Sequence, residues 1–382
     1  MLLIKNGYIK TMAGEDIENG YVLIGDDGKI VSIGTDIEEA ADMTVLDAEG
    51  RLVTPGCVEA HCHIGLGDLL SGKDYNESSS PITPEMRAID GINPQSEAFS
   101  NAIRGGVTSV CTGPGSANVV CGTFAAIKCY GKRIDDMIIK NPVAMKIAFG
   151  ENPKKAYGQN NKAPKTRMAI AALLREFLYK AKKYYTDKEE GKEPAFDFRL
   201  EAMLPVMSGE IPLKAHAHRA DDIFTAIRIA KEFGLKLTLD HCTEGELIAD
   251  ELAKEGYPAF VGPTMGGKSK YELLNKTFKT PAVLNSAGVD IAIITDAGVI
   301  QIEYLPLVAG MAAKAGLPFE EAWKAITINA ATLTGIGDRV GSLEVGKDGD
   351  VVIWQADPLR EVGAEAHITV IDGKVVYRAT EE

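Results

Sequence analysis

Histidines are the residues of this chain best suited to chemistry, because imidazole binds metal ions and carries protons near neutral pH. The chain has six, and His61 and His63 stand two residues apart in the apolar stretch 57–63. Alternate residues of a β-strand point to the same side, so these two imidazoles are expected to share one face. Two convergent imidazoles form part of a metal site, and the remaining ligands must come from elsewhere in the chain.

Further candidate ligands stand at the ends of other apolar runs. They are His216 at the end of 212–216 with His218 just beyond it, His241 at the end of 235–241, and Asp296 at the end of 289–296. A single histidine at a strand end is more often a hydrogen-bonded structural residue, but five at strand ends favour a metal site. Imidazole together with carboxylate suits Zn²⁺ and other divalent first-row ions.

The middle of the chain can bring these ends together. Short apolar runs alternate there with helical stretches such as 166–185 and 220–230, and a charged exposed loop is expected at 186–193. The predicted strands are 57–63, 106–111, 143–149, 212–216, 235–241, 258–261 and 289–296, with a weak eighth at 123–129. This pattern predicts an α/β fold, a (β/α)8 TIM-type barrel, whose catalytic rim is formed by the carboxyl ends of the strands.

Both ends of the chain are rich in short β-runs. We expect residues 1–54 and 340–382 to form one small composite β-sandwich domain, and residues 55–339 to form the barrel. Hairpin turns are predicted at Asn6-Gly7 and at 25–28, because Asn-Gly and Asp-Gly between β-rich runs favour them.

Composition narrows the class of protein. The 382 residues are 45% hydrophobic, and a net charge of −13 argues against nucleic-acid and anionic-membrane partners. There is neither a signal sequence nor an apolar run of about 18 residues, so we expect a cytoplasmic protein. The six cysteines lack a CxxC pair and are predicted to be buried free thiols. A small-molecule substrate and a homo-oligomer are the expected partners.

Taken together, these motifs resemble the amidohydrolase superfamily, and within it the imidazolonepropionase-related and prolidase-like branch. The resemblance rests on Pro55-Gly56, which four residues separate from His61-Cys62-His63, on the later strand-end histidines, on Asp296, and on the terminal segment 340–352. It covers nearly the whole chain. It implies a metal-dependent hydrolase on a (β/α)8 barrel.

The resemblance also implies roles for individual residues. One or two divalent ions, zinc being the expected metal, would be bound by His61 and His63 at the more buried position and by His216 and His241 at the second. Asp296 would be both ligand and proton shuttle. The expected ligands and catalytic residues are therefore His61, His63, Lys146, His216, His218, His241 and Asp296.

Two of these roles stay open at this point. Lys146 lies on an apolar strand and could be carboxylated to bridge two ions, but it could also be paired with Glu151, or Glu151 could itself be the bridge. His218 shares a face with His216, and it could contact substrate or hydrogen-bond a metal ligand.

The expected reaction is cleavage of a C–N bond by a metal-bound hydroxide. Substrates implied are an N-acyl amino acid, an Xaa-Pro-type dipeptide, or an imidazolone- or hydantoin-like ring. A deaminase is the alternative, although the segment after His216 lacks the Glu that such enzymes carry there, and a non-catalytic barrel is a third possibility. Candidates to hold a substrate carboxylate are Arg87, Lys128, Arg219 and Lys268.

Overall fold

The computed structural model describes residues 1–67 and 74–380, and its strands form two eight-stranded sheets. The first sheet is built from both ends of the chain. Its strands, numbered along the chain, are β1 (Leu2–Ile9), β2 (Ile17–Ile24), β3 (Ile30–Gly34), β4 (Thr44–Asp47), β5 (Leu52–Pro55), β14 (Val351–Trp354), β15 (Ala366–Ile371) and β16 (Lys374–Arg378). Their order is β16-β15-β14-β5-β1-β2-β3, and β4 pairs with β1.

The terminal sheet has a separate apolar cluster, distinct from the one around the barrel. Ile9 and Val53 from the first part of the chain pack there with Ile353 and Val370 from the last part. Alternating side chains bury one face of these strands, so each end of the chain supplies the apolar surface that the other needs. The sandwich packing and the domain boundaries expected from the sequence stay predictions.

One of the two predicted hairpin turns is confirmed. Residues 25–28 connect the antiparallel strands β2 and β3. The turn predicted at Asn6-Gly7 is wrong, because β1 runs through both residues. Asn6 has a left-handed φ of 55° at a shift of register against β2. Asn tolerates this conformation, so the chain forms a bulge there instead of reversing.

The second sheet is a mostly closed barrel. Its strands are β6 (Cys57–Cys62), β7 (Val107–Thr112), β8 (Val120–Lys128), β9 (Ile138–Ala148), β10 (Leu213–Ala217), β11 (Leu237–His241), β12 (Ala259–Val261) and β13 (Ile291–Ile293). They follow one another around the sheet in chain order. Each predicted strand overlaps one of these, and the strand-end residues fall at one rim.

The barrel is not a regular (β/α)8 array, and on this point the sequence-based prediction is wrong. The strand β8 runs antiparallel to both β7 and β9, whereas the other neighbouring pairs of this sheet are parallel. Residues 113–119 connect β7 to β8 without a helix. So short a connection cannot make a parallel crossover, and the chain turns straight back.

Helices cover the barrel, and a large apolar cluster lies between them and the strands. They are α1 (Glu97–Arg104), α2 (Ile134–Met137), α3 (Glu151–Gly158), α4 (Arg167–Glu189), α5 (Phe198–Glu201), α6 (Leu204–Met207), α7 (Ala220–Phe233), α8 (Ala249–Glu255), α9 (Thr280–Ser286), α10 (Leu305–Lys314), α11 (Phe319–Ala325) and α12 (Ile328–Leu333). Within residues 1–67 and 74–380, none of the helices combines the length and the apolar character needed to span a bilayer.

Two smaller predictions concern α4 and the cysteines. The helix α4 continues to Glu189, so the charged loop predicted from residue 186 begins later than expected. Asp187 lies in this last turn, where it pairs with Lys183 four residues earlier. All six cysteines are free and buried, which confirms their predicted state.

Candidate metal centre

The first group of candidate ligands joins the two ends of the barrel sheet. His61 lies on β6, His63 directly follows that strand, and Asp296 follows β13. Their ligand atoms lie within 4.8 Å of one another. The Asp296 Oδ1 atom is 3.2 Å from Nε2 of His63 and 3.5 Å from Nε2 of His61. The alternation predicted for this strand thus brings both imidazoles to one carboxylate.

The second group comprises His216, His218 and His241, whose ligand atoms also lie within 4.8 Å of one another. Ala217 of β10 stands opposite His241 of β11 in the parallel register, which sets the three rings side by side. Ring centroids are 4.4 Å apart for His216 and His241 and 4.6 Å for His218 and His241. His218 therefore lies in the same group as His216 and His241.

The two groups are neighbours, since the rings of His61 and His241 have centroids 5.3 Å apart. Backbone carbonyl oxygens orient two of the histidines through Nδ1. Nδ1 of His63 lies 2.7 Å from the Gly113 carbonyl, and Nδ1 of His241 lies 2.7 Å from the Gly262 carbonyl. A carbonyl oxygen only accepts, so each Nδ1 donates its proton, and in the neutral ring Nε2 is then the nitrogen whose lone pair can bind a metal ion.

Electrostatics favour neutral imidazoles here. Burial lowers the pKa of His241 to about 3, and burial with the neighbouring histidines holds the pKa of His216 and His218 well below the usual range. Burial alone would raise the pKa of Asp296, but His61 and His63 hold it well below the usual range. Neutral imidazoles beside a charged carboxylate suit a divalent cation, and these residues fit the metal that the sequence predicts.

Lys146 lies beneath the first group and is fully buried. Its Nζ is 2.7 Å from Oδ2 of Asp240 and 3.3 Å from Nε2 of His61. Lys214 approaches the other oxygen of Asp240 at 2.9 Å. Burial would raise the pKa of Asp240, but the two ammonium groups hold it well below its usual range. Lys146 is therefore paired with Asp240 and not with Glu151.

Glu151 lies outside both groups. Its carboxylate accepts hydrogen bonds from Lys154 at 2.8 Å and from Arg167 at 2.9 Å. These cations satisfy the carboxylate on the outer side of the barrel, so Glu151 has little capacity to bridge two ions.

Glu59 is a buried carboxylate that sequence reasoning missed. Its Oε2 accepts from the Thr295 amide at 2.9 Å and from the Thr295 hydroxyl at 2.6 Å, and its Oε1 accepts from the His61 amide at 3.1 Å. Burial raises its pKa to about 7. The signal was present in the sequence, because Glu59 alternates with His61 and His63 on one strand face. The residue ties β6 to the segment that carries Asp296.

Both groups open into a cavity of about 670 Å³. Its wall combines apolar and polar residues, with Met265, Val299 and Ile300 among the first and Asn152 and Ser116 among the second. This mixture is typical of a small-molecule site, where apolar surface supplies affinity and a few polar groups fix orientation.

The four residues expected to hold a substrate carboxylate do not line this cavity. Arg87 pairs with Asp90, Arg219 pairs with Asp221, and Lys268 donates to the Leu274 carbonyl. Lys128 is buried among carboxylates of the terminal sheet, 2.7 Å from Asp350 and 2.9 Å from Asp348. Among the described residues of the cavity wall, the cations are instead Lys155, Lys270 and Lys276.

A barrel with buried imidazoles and a carboxylate at one rim defines a metallohydrolase-type site, and comparison with known proteins agrees. The sequence profile of the amidohydrolase family matches residues 52–376. This chain belongs to the amidohydrolase family and is a hydrolase that acts on C–N bonds.

Three relatives show how far the similarity extends. The crystal structure of an amidohydrolase from Thermotoga maritima MSB8 has a TM-score of 0.95 and 40% identity, covering 99% of this chain and 100% of that one. An imidazolonepropionase from Rhizobium rhizogenes is 26% identical over 96% of this chain and 95% of its own length. Amidohydrolase tasK from Hapsidospora irregularis is 28% identical over 89% of this chain, but this chain spans only 38% of that protein.

Proposed function

We propose that this protein is a metal-dependent hydrolase that cleaves the C–N bond of an amide or cyclic amide. The observation that carries the proposal is the pair of adjacent ligand groups, buried and mostly imidazole, that open into one cavity. His61, His63 and Asp296 would hold one divalent ion, and His216 and His241 would hold a second, with zinc as the expected metal. Such an ion supplies Lewis acidity, which lowers the pKa of water and polarises a carbonyl group.

Asp296 would act as the proton shuttle. Its carboxylate is charged and lies between the groups, 3.2 Å from His63 Nε2 and 4.0 Å from His241 Nδ1. From this position it can accept the proton of the attacking water and return it to the leaving nitrogen. The water oxygen forms the new bond to the carbonyl carbon, and the C–N bond breaks to give a carboxylate and an amine, or an opened ring.

His218 would then assist from the second group. Its Nδ1 is 2.7 Å from the Thr243 hydroxyl, and its side chain lines the cavity. A neutral imidazole at this point can hydrogen-bond the substrate, or it can complete the ligand set of His216 and His241.

Lys146 would bridge the two ions after carboxylation. That step joins Nζ of the ammonium group to the carbon of carbon dioxide with loss of two protons, and it converts a buried cation into an anionic ligand. Asp240 would keep Lys214 as its ion-pair partner, so the step leaves no buried charge unpaired. The short distance from Lys146 to His61 supports this role.

Amide hydrolysis fits the wall of the cavity better than deamination does. In the segment after His216, Asp221 pairs with Arg219 at the surface. Glu272 is the carboxylate near His218, at 3.8 Å, but it does not line the cavity. No carboxylate other than Asp296 is therefore available, among the described lining residues, to handle protons at a ring nitrogen.

The test uses purified protein supplied with zinc. We expect it to release an amine or an opened ring from a panel of N-acyl amino acids, Xaa-Pro dipeptides, hydantoins and imidazolones. A chelator should abolish this activity, and added zinc should restore it. His63→Asn should lose metal, whereas the matched control His367→Asn, on β15 of the terminal sheet, should keep it.

Two results would contradict the proposal. Protein that takes up no divalent ion after supplementation would not be a metallohydrolase. Release of ammonia from aminopurines, without cleavage of any amide in the panel, would instead identify a deaminase. The expected homo-oligomer and cytoplasmic location stay predictions.

A further inference from the structure

The wall of the catalytic cavity carries positive charge. Among the described residues that line it, Lys155, Lys270 and Lys276 are cationic, and Asp296 is the one carboxylate. Asp296 faces the histidines, so it does not neutralise the lysines. The chain as a whole has a net charge of −13, so the positive charge of the cavity wall contrasts with the charge of the protein as a whole.

Lys270 lies close to the reacting centre. It follows β12, and its Nζ donates to Oδ1 of Asn152 at 2.6 Å. The Asn152 amide nitrogen is in turn 2.7 Å from the Ser116 hydroxyl and 3.3 Å from Nε2 of His216. One side chain therefore separates the Lys270 ammonium from a candidate metal ligand. Oε1 of Glu272 lies farther from the same Nζ, at 3.7 Å. An ammonium group has three donors, so Lys270 can still donate a hydrogen bond to a substrate anion.

Lys155 reaches the same place from α3. Its side chain is exposed, and none of the hydrogen bonds or ion pairs found in the described parts of the chain involves it. Lys155 and Lys270 line both the catalytic cavity and an adjoining recess of about 570 Å³. They therefore stand on the boundary between the two spaces, which Asn152 also lines.

Lys276 differs from these two. Its Nζ donates to the carbonyls of Met265 and Gly267, at 3.0 and 3.1 Å. Its hydrogen-bonding capacity is largely taken up by the backbone of the segment after β12, which it holds in place. Among the described lysines of the cavity wall, Lys155 and Lys270 are thus the two that keep donors for a ligand.

We propose that Lys155 and Lys270 form an anion subsite that binds a carboxylate of the substrate, so that the enzyme prefers amides carrying a carboxylate near the scissile bond. This inference rests on the proposed function, because it names the substrate class of that same site. Each lysine would donate a charge-assisted hydrogen bond to the carboxylate, and Asn152 would hold the Lys270 ammonium beside the metal ligands.

Binding tests the subsite without relying on turnover. Succinate is the probe, and succinamide, its uncharged analogue of similar shape, is the comparison, both titrated by calorimetry into the zinc-loaded protein. We expect succinate to bind more tightly than succinamide, and Lys155→Gln with Lys270→Gln to weaken succinate binding by roughly 10- to 100-fold. Equal binding of the two compounds would overturn the inference, as would tighter binding of inorganic phosphate.

Steady-state kinetics provide a second test of the anion subsite. N-acetyl amino acids and their carboxamides differ in one charge, and we expect kcat/KM to favour the acids. Lys270→Gln should remove most of this preference through KM, and Lys270→Arg should restore part of it. Lys154→Gln is the matched control: Lys154 is on the same helix, lines only the outer recess and is paired with Glu151, so this variant should keep the preference.

The two proposals can fail separately. Hydrolysis of acids and carboxamides at equal rates would leave the metallohydrolase standing and overturn the anion subsite. Succinate binding that depends on both lysines, without hydrolysis of any amide, would support the subsite and contradict the proposed function.

Discussion

Gly113 occupies a position where a single methyl group should disturb the metal centre. A Cβ atom built on this glycine would lie 2.3 Å from Cδ2 of Phe124. Phe124 is fully buried, and its ring stacks on His61 with centroids 5.1 Å apart. The Gly113 carbonyl also accepts the hydrogen bond from His63 Nδ1. The substitution Gly113→Ala would therefore disturb His61 on β6 and His63 directly after it.

The size of the effect follows from these distances. Ordinary contact begins near 3.4 Å, so Phe124 and residue 113 must separate by about 1 Å. Overpacking of this kind costs about 1–3 kcal/mol. The same displacement would lengthen the 2.7 Å bond that orients His63, and loss of such an outer partner costs roughly 10- to 100-fold in metal affinity.

Two measurements are made on each variant. Metal affinity is measured by competition with a chromophoric chelator, and stability is measured by urea-induced unfolding. Gly14→Ala is the matched control, since a Cβ atom there would meet nothing within 4 Å. We expect Gly113→Ala to lose both metal affinity and stability and Gly14→Ala to lose neither. A Gly113→Ala protein that matches Gly14→Ala in both measurements would show that the contact of Gly113 with Phe124 does not constrain the histidines.

Two further variants test other parts of the structure. Asp296→Asn should retain most of its metal, by elemental analysis, yet lose turnover by orders of magnitude, because an amide cannot accept the proton; full activity would rule out the assigned shuttle. Burial alone would raise the pKa of Asp348, but Arg339, Lys128 and Lys29 lower it to about 2. Its ionised form therefore adds stability above its unfolded-state pKa of 3.8, and this gain is lost as the pH falls towards 2. The free energy of unfolding, measured at several pH values from neutral to about pH 2, tests this account. We expect Asp348→Asn to be less stable than the wild type by about 1–2 kcal/mol at neutral pH, allowing for screening, and we expect this difference to disappear in acid. A difference in stability that stays constant with pH would contradict this account.

The candidate ligands could be predicted because they depend on local geometry. Alternation along one strand fixes the shared face of His61 and His63 without reference to any other element. Runs that end in His216, His241 and Asp296 need only a parallel arrangement to bring those ends to one edge. The structure brings all of these side chains into two adjacent groups.

The partners of the charged residues could not be predicted in this way. Asp240 meets Lys146 and Lys214 because β9, β10 and β11 pair in one particular register, with Lys214 opposite Lys146 and His216 opposite Asp240. Register between strands is set by packing of the whole barrel, and a shift of one residue would reverse every side chain. The sequence offered Glu151 as the partner of Lys146 because it lies nearby in the chain.

By itself, then, the sequence determined which residues can bind a metal ion and on which strand ends they lie, since covalent spacing decides the side of a strand to which a residue points. Only the tertiary structure decided the antiparallel course of β8, the hydrogen bonds from Thr295 to Glu59, and the presence of Lys155, Lys270 and His216 in the wall of one cavity. Each of these joins segments far apart in the chain, and such contacts depend on how the elements pack together.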